Sequence, residues 1–386
     1  MKIFNINRLL LPAIGFFLTL NTSAQPLLKD AFKNDFLVGA ALSARQFCES
    51  NAVEATIVKA QFNTISPENA LKWESVHPLP GQYDFSQADK YVEFGIKNDK
   101  FIVGHTLVWH NQTPKWVFED NGKPASREVL LQRMREHINS VVGRYKGRVK
   151  GWDVVNEAIS DDGSLRDSPW HKIIGDDYIA KAFEFAHEAD PKAELYYNDY
   201  SLENTSKRNG VIAMIKNLQL QGVKVSGVGS QGHYALERPT LEQVDKSISD
   251  LEKLDVKVMF TELDVNVLPA ANRSLNAEIS TRLELRAELN PYTNGLPDSV
   301  QQQLAQRYAD LFSVFLKHRD SISRVTFWGV TDANSWLNDW PIPGRTAYPL
   351  LFDRDGKPKP AFSAVLKTAQ TRSGIKTSAG ESAMAH

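Results

Sequence analysis

The sequence predicts an α/β fold of the closed (β/α)8 type, a single-domain TIM barrel, on three observations. Eight short β-rich runs recur along the chain, the stretches between them carry a helical period, and no low-complexity linker or second domain interrupts residues 28–368. Parallel strands need a crossover of helical length, and eight strand-then-helix units point to a sheet closed on itself.

The runs are "FLVGAAL" (36–42), "FNTISP" (62–67), "FIVGHTLVW" (101–109) and "VKGWDVVNE" (149–157), then "AELYYNDYS" (193–201), "GVGSQGHY" (227–234), "VKVMFTELDV" (256–265) and "ISRVTFWGV" (322–330). Each is rich in β-branched and aromatic residues. From Arg127 to Lys146, Leu130, Met134, Ile138, Val141 and Tyr145 recur at steps of four and three, which makes one apolar stripe to lay on a barrel. "TLEQ" from Thr240 reads as a capping box, followed by Val244, Ile248 and Leu251 on one face. A further helix is expected near 300–317. The widest gap between strands, from Val265 to Ile322, places an insert on the face where barrel loops carry function, so it should shape a substrate groove.

The ends of the chain read differently. Lys2 and Arg8, the apolar run from Leu9 to Leu20 and the small residues Thr22 and Ala24 predict a signal peptide over 1–24. Export follows, whether to a periplasm, a cell surface or the medium. A membrane span needs about 20 apolar residues, so no stable span is expected. Residues 371–386, polar and small, are expected to be disordered.

Lys+Arg total 45 against Asp+Glu 46, so no global field recruits nucleic acid or an acidic surface. Cys48 is the only cysteine, which rules out an intramolecular disulfide. With 386 residues, 42% of them hydrophobic, the chain can bury one large core or two ordinary ones, and a monomer is expected.

The chemistry collects at strand ends. Glu157 stands where the fourth run stops and Glu262 at the matching point of the seventh, each after a polar residue, Asn156 and Thr261. Two carboxylates across a groove cleave a glycosidic bond with retention when about 5–5.5 Å apart and with inversion at about 6.5–9.5 Å. Spacing in sequence leaves both open.

Around them the other run ends offer Glu68, Asn69, Lys72, His105, Trp109, His110, Tyr200, Gln231, His233, Trp328 and Trp336. Amides, imidazoles and an ammonium suit sugar hydroxyls, and indoles suit the apolar faces of pyranose rings. Neither a metal nor a cofactor is expected: H-E-x-x-H is missing, and His105 and His110 are five apart on strand and loop. A serine hydrolase lacks its G-x-S-x-G elbow.

The ordered set "ENALKWE", "GHTLVWH", "WDVVNEAI", "YYNDYS", "GSQGHY", "TELDV" and "FWGVTD" resembles glycoside hydrolase family 10, the retaining endo-β-1,4-xylanases, over residues 28–368. That resemblance implies Glu262 as nucleophile, Glu157 as acid/base, and xylan or xylo-oligosaccharides as substrate. By the same likeness Asn156 bonds the 2-hydroxyl of the sugar under attack, Gln231 and Lys72 its other hydroxyls, and Glu68 with Asn69 the next sugar. His233, oriented by Asp264, keeps Glu262 ionised; Trp109, Trp328 and Trp336 wall the glycone pocket; Tyr200 faces the aglycone. Asp255, where the family often has a small residue, should affect only a turn. Two rivals are a barrel glycosidase acting on β-1,4-glucan and a non-catalytic polysaccharide-binding barrel, for which intact Glu157 and Glu262 would have no use.

Overall fold

In a computed structural model that describes residues 27–270 and 278–370, the eight runs form eight parallel strands. They are β1 (Leu37–Leu42), β2 (Thr64–Pro67), β3 (Phe101–Val108), β4 (Gly151–Asn156), β5 (Glu194–Asp199), β6 (Gly227–Ser230), β7 (Lys257–Asn266) and β8 (Ile322–Phe327). Each pairs with its sequence neighbour, and β8 also pairs with β1, from Leu37↔Arg324 to Ala40↔Phe327, which closes the barrel. The expected signal peptide and C-terminal tail lie outside the described residues. Among the described residues no helix is long and apolar enough to cross a membrane.

Between successive strands run α1 (Ala52–Gln61), α2 (Ser86–Lys97), α3 (Arg127–Arg144), α4 (Tyr178–Ala189), α5 (Thr205–Leu220), α6 (Leu241–Leu251) and α7 (Asp298–Lys317). A last helix, α8, covers residues 360–370. The stripe of α3 is fully buried at Leu130, Met134, Ile138 and Val141, each contributing on the order of 1.5–3 kcal/mol of burial. Ser126 caps that helix by accepting from the Val129 N–H, and at α6 Thr240 and Gln243 form the reciprocal capping box. Between neighbouring strands bulk alternates with space. Gly104 on β3 faces the Trp152 indole of β4, and a Cβ there would stand 2.1 Å from the ring.

Two strands depart from the alternation their sequences suggest, and both bear on function. The sixth run is not one strand: β6 ends at Ser230, Gly232 takes a left-handed φ of 78°, and a separate short strand, His233–Ala235, resumes. Nor does β7 end near Glu262. It continues to Asn266 and pairs first with β6 (Phe260↔Ser230) and then with the short strand (Asp264↔His233). Against β8, Phe260↔Val325 is followed by Leu263↔Phe327, so three steps on β7 oppose two. Phe260 points outward and stacks on Phe315 of α7 at 4.1 Å. In an unbroken strand Glu262, two residues on, would follow it outward. The extra residue re-aims Glu262 into the barrel mouth.

Asp255 sits where a turn is made. It closes the 3-10 turn Glu252–Leu254 before β7 with a left-handed φ of 56°, a conformation a short polar side chain tolerates.

Candidate active site

At the carboxyl end of the barrel a cleft of about 940 Å³ is lined by Glu157, Glu262, Asn156 and every other run-end residue that the sequence offers except His110. Asp264 lies beneath it, 1% exposed, and supports two lining residues. His110 turns away behind Trp109, in a small pocket with Trp170 and Tyr178. Its imidazole is driven down to about 3 by burial, with the Arg166 charge acting in the same direction. No group of three or more metal-ligating side chains occurs among the described residues.

Glu262 is held by donors of which one is cationic. Asn198 Nδ2 donates to Oε1 at 2.8 Å, and His233 Nε2 lies 3.2 Å from Oε2. Burial would push the Glu262 carboxyl up, but the His233 bond, the charges of His105 and His233 and the Asn198 bond outweigh it, and the net shift is downward. His233 shows the complement. Burial opposes its charge, yet Asp264 and Glu262 together raise it to about 10. Its Nδ1 stands 3.0 Å from Asp264 Oδ2, an ion pair whose alignment falls short of a hydrogen bond. The same carboxylate oxygen accepts from Trp336 Nε1 at 2.7 Å, which ties the tryptophan wall to the histidine.

Glu157 has another kind of surroundings. It follows the last residue of β4 in a left-handed conformation, φ 57°, unusual for a residue with a side chain. Its N–H donates to the Asn198 carbonyl at 2.9 Å and its own carbonyl accepts from Arg166 Nε at 2.7 Å, so the turn is gripped on both sides. The carboxylate receives neutral donors, Gln231 Nε2 on Oε1 and Trp109 Nε1 on Oε2, each at 2.9 Å. Asn156 stands beside both glutamates. Its amide lies 2.9 Å from Asn198 Nδ2 and within 3.2 Å of the Asn198 carbonyl and Trp109 Nε1.

Lys72 and Glu68 occupy the β2 side. Lys72 Nζ donates to Asn69 Oδ1 at 3.1 Å and Gln112 Oε1 at 2.7 Å, and lies 4.9 Å from the centre of the Trp109 ring. Burial lowers its ammonium, while Glu262, Glu68, Glu157 and Glu74 oppose that. Burial raises the Glu68 carboxyl against the pull of Lys72. His105, on the floor, bonds Asp153 Oδ2 through Nδ1 at 3.0 Å and meets Trp328 edge to face. Tyr200 accepts from Arg166 Nη2 at 2.9 Å, and Lys207 Nζ sits 3.1 Å from its ring centre.

Three residues with structural weight were not singled out from sequence. Asn198 is fully buried and joins Glu262, Asn156 and Thr261; its place at the end of the fifth run was the available signal. Gln112 reaches Lys72, Asn69 and Glu74 from a loop, and Arg166 grips Glu157 from another. Neither loop carries a local cue. The insert after β7 does reach the cleft, through Glu278, Ile279, Ser280 and Arg282, and Asp339 and Trp340 join from the loop after β8.

Comparison with known proteins agrees with this geometry. The family model of glycosyl hydrolase family 10 matches residues 27–368. The chain is 47% identical over 344 residues to endo-1,4-beta-xylanase A of Xylanibacter ruminicola, covering 89% of this chain and 93% of the relative. It is 41% identical over 347 residues to the endo-1,4-beta-xylanase of Geobacillus stearothermophilus, covering 89% and 99%. Among solved structures, a GH10 endoxylanase retrieved from a sugarcane soil metagenome superposes with a TM-score of 0.85 at 49% identity, covering 88% of this chain and 99% of that one. A single-site mutant in complex with xylotriose gives a TM-score of 0.81 at 37% identity, covering 89% and 99%.

Proposed function

The chain belongs to glycosyl hydrolase family 10, and from that premise we propose how it works as an endo-1,4-β-xylanase: Glu262 is the nucleophile and Glu157 the acid/base of a retaining double displacement. Glu262 attacks the anomeric carbon while Glu157 passes its proton to the departing glycosidic oxygen. The glycosidic bond breaks and an ester to Glu262 forms. Water then attacks the same carbon, Glu157 takes its proton, and the ester is released with the original configuration.

One observation carries the assignment. Two glutamates share a cleft, but the Glu262 carboxylate is bonded to a histidine held cationic by Asp264, whereas the hydrogen-bond donors to the Glu157 carboxylate among the described residues are the neutral Gln231 and Trp109. A nucleophile must remain ionised, and a neighbouring cation favours that form. A carboxyl among neutral donors can carry a proton and later give it up.

The rest of the lining has sugar-binding parts. Asn156, Gln231 and Lys72 bond hydroxyls of the sugar under attack, Glu68 and Asn69 those of the next one, and His105 closes the floor. Trp109, Trp328 and Trp336 wall the glycone side, and Tyr200 faces the aglycone. A pentose lacks the C6 hydroxymethyl, so a close indole wall favours xylan over β-1,4-glucan. Residues 28–368 act as one catalytic barrel, and the chain is exported after cleavage near Ala24, a reading supported by Lys2, Arg8 and the apolar run to Leu20.

The test is the product anomer followed by NMR on xylan, with carboxymethyl-cellulose alongside. First release of the β-anomer from xylan, with little from the glucan, is the expected result. First release of the α-anomer would remove Glu262 as nucleophile. N-terminal sequencing of the exported protein tests the cleavage site.

A further inference from the structure

The cleft lining is rich in carboxylates, including Glu68, Glu74, Glu157 and Glu262, and among the described residues holds two long cationic side chains, Lys72 and Arg282. The two cations are not alike. Lys72 is buried and faces all four of those carboxylates. Arg282 lies exposed on the insert after β7, and no carboxylate among the described residues stands within ion-pair distance of it. It is nonetheless positioned. Its Nη1 donates to the carbonyls of Ile279 at 2.6 Å and Thr281 at 2.9 Å, which uses both hydrogens of that nitrogen and leaves Nε–H and Nη2–H as a planar fork. The next residue, Leu283, anchors the segment by donating its N–H to the Pro341 carbonyl at 2.8 Å. Pro341 follows Trp340, a lining residue whose ring stacks on Trp336 at 4.9 Å and 18°.

We propose that Arg282 is a specificity residue that binds the carboxylate of a uronic-acid branch on the xylan chain lying in the cleft. The inference rests on the xylanase reading and names the substrate class within it. A cleft with this excess of carboxylates repels an anionic branch, and Lys72 cannot compensate because its charge is already matched. A guanidinium with a vacant fork can accept a carboxylate through two charge-assisted bonds. Its two backbone bonds hold it ready, so little side-chain freedom is lost on binding. The indole of Trp340 lines the same cleft and adds an apolar surface for the branch sugar.

The experiment compares kcat/KM on three xylo-oligosaccharides of one backbone length: unbranched, uronate-branched, and uronate-branched with the carboxyl reduced to the alcohol. For Arg282→Gln the ratio of branched to unbranched should fall about three- to tenfold, as for a partly exposed bidentate pair. The reduced substrate should show no such fall, and 0.5 M salt should shrink the wild-type preference for the charged branch. Arg282→Lys should recover part of the ratio. An unchanged ratio in Arg282→Gln, or an equal fall with the reduced substrate, overturns the proposal. Failure of the xylanase reading is distinct, because the wild-type enzyme would then cleave none of the three.

Discussion

The two halves of the catalytic mouth support the same side chain in opposite ways. On the β6–β7–β8 side, Glu262 sits in a chain of charge, bonded to His233, which faces Asp264, which accepts from Trp336. On the β3–β4–β5 side, Glu157 has neutral hydrogen-bond donors for its carboxylate, and the Arg166 cation grips its backbone instead. The first arrangement stabilises one ionisation state. The second fixes the position of the side chain, through neutral donors to its carboxylate and a grip on its backbone. Two identical residues are placed in different electrostatic surroundings because the groups bonded to them differ.

The largest way to break this comparison is to remove each carboxylate. Glu262→Ala is predicted to lower kcat on xylan by on the order of 10⁴-fold or more while calorimetry still shows oligosaccharide binding. Glu157→Ala is predicted to lose about 10²- to 10⁴-fold on xylan and far less on aryl xylosides with activated leaving groups, which need no proton. Equal losses on both substrates would contradict an acid at position 157.

Next in size is the cation. His233→Gln should cut kcat about 10- to 100-fold and move the acidic limb of the kcat/KM profile to higher pH, since Glu262 loses the partner that lowers its carboxyl. A stability signature accompanies it. His233 is raised from 6.5 to about 10 in the folded chain, so its stabilisation is complete below about pH 6.5 and lost as pH rises through 10. The gap in Tm between wild type and His233→Gln should therefore be widest at pH 6 and narrow towards pH 10. A gap that widens with pH would show that His233 is not held charged.

A smaller effect sharpens the contrast from the other side. Arg166→Met removes the donor to the Glu157 carbonyl and to Tyr200, and about a tenfold loss on xylan is expected, with a smaller loss on activated aryl xylosides and no shift of the acidic limb. A shifted acidic limb would mean Arg166 acts on Glu262 as well. The smallest effect is a control. Thr240→Ala removes the side-chain cap of α6 and should cost about 1 kcal/mol of stability in a denaturant titration, with leaving-group dependence unaltered.

Much of this molecule was readable in advance. The barrel strands are covered on both faces, so they appear as near-continuous apolar runs, and all eight were found. Helix α3 was readable because its stripe has one period. The residues that line the cleft were readable because strand ends of a barrel open onto one face. What escaped has a common cause. The break at Gln231–Gly232 and the extra residue near Glu262 leave no mark on apolar alternation. Asn198 looks like one more polar residue of "YYNDYS", and Arg166 like a loop cation in "LRDS".

By itself, then, the sequence determined the number and order of barrel units, the capped and striped helices, and which polar and aromatic side chains would gather at one end. Those properties are written in short windows, because period, capping and residue chemistry are local. Only the tertiary structure decided which way Glu262 points, that His233 belongs to a separate strand, and that Arg166 grips Glu157. Each depends on register between strands, or on a loop reaching across the mouth, and register is set by packing over the whole closed sheet.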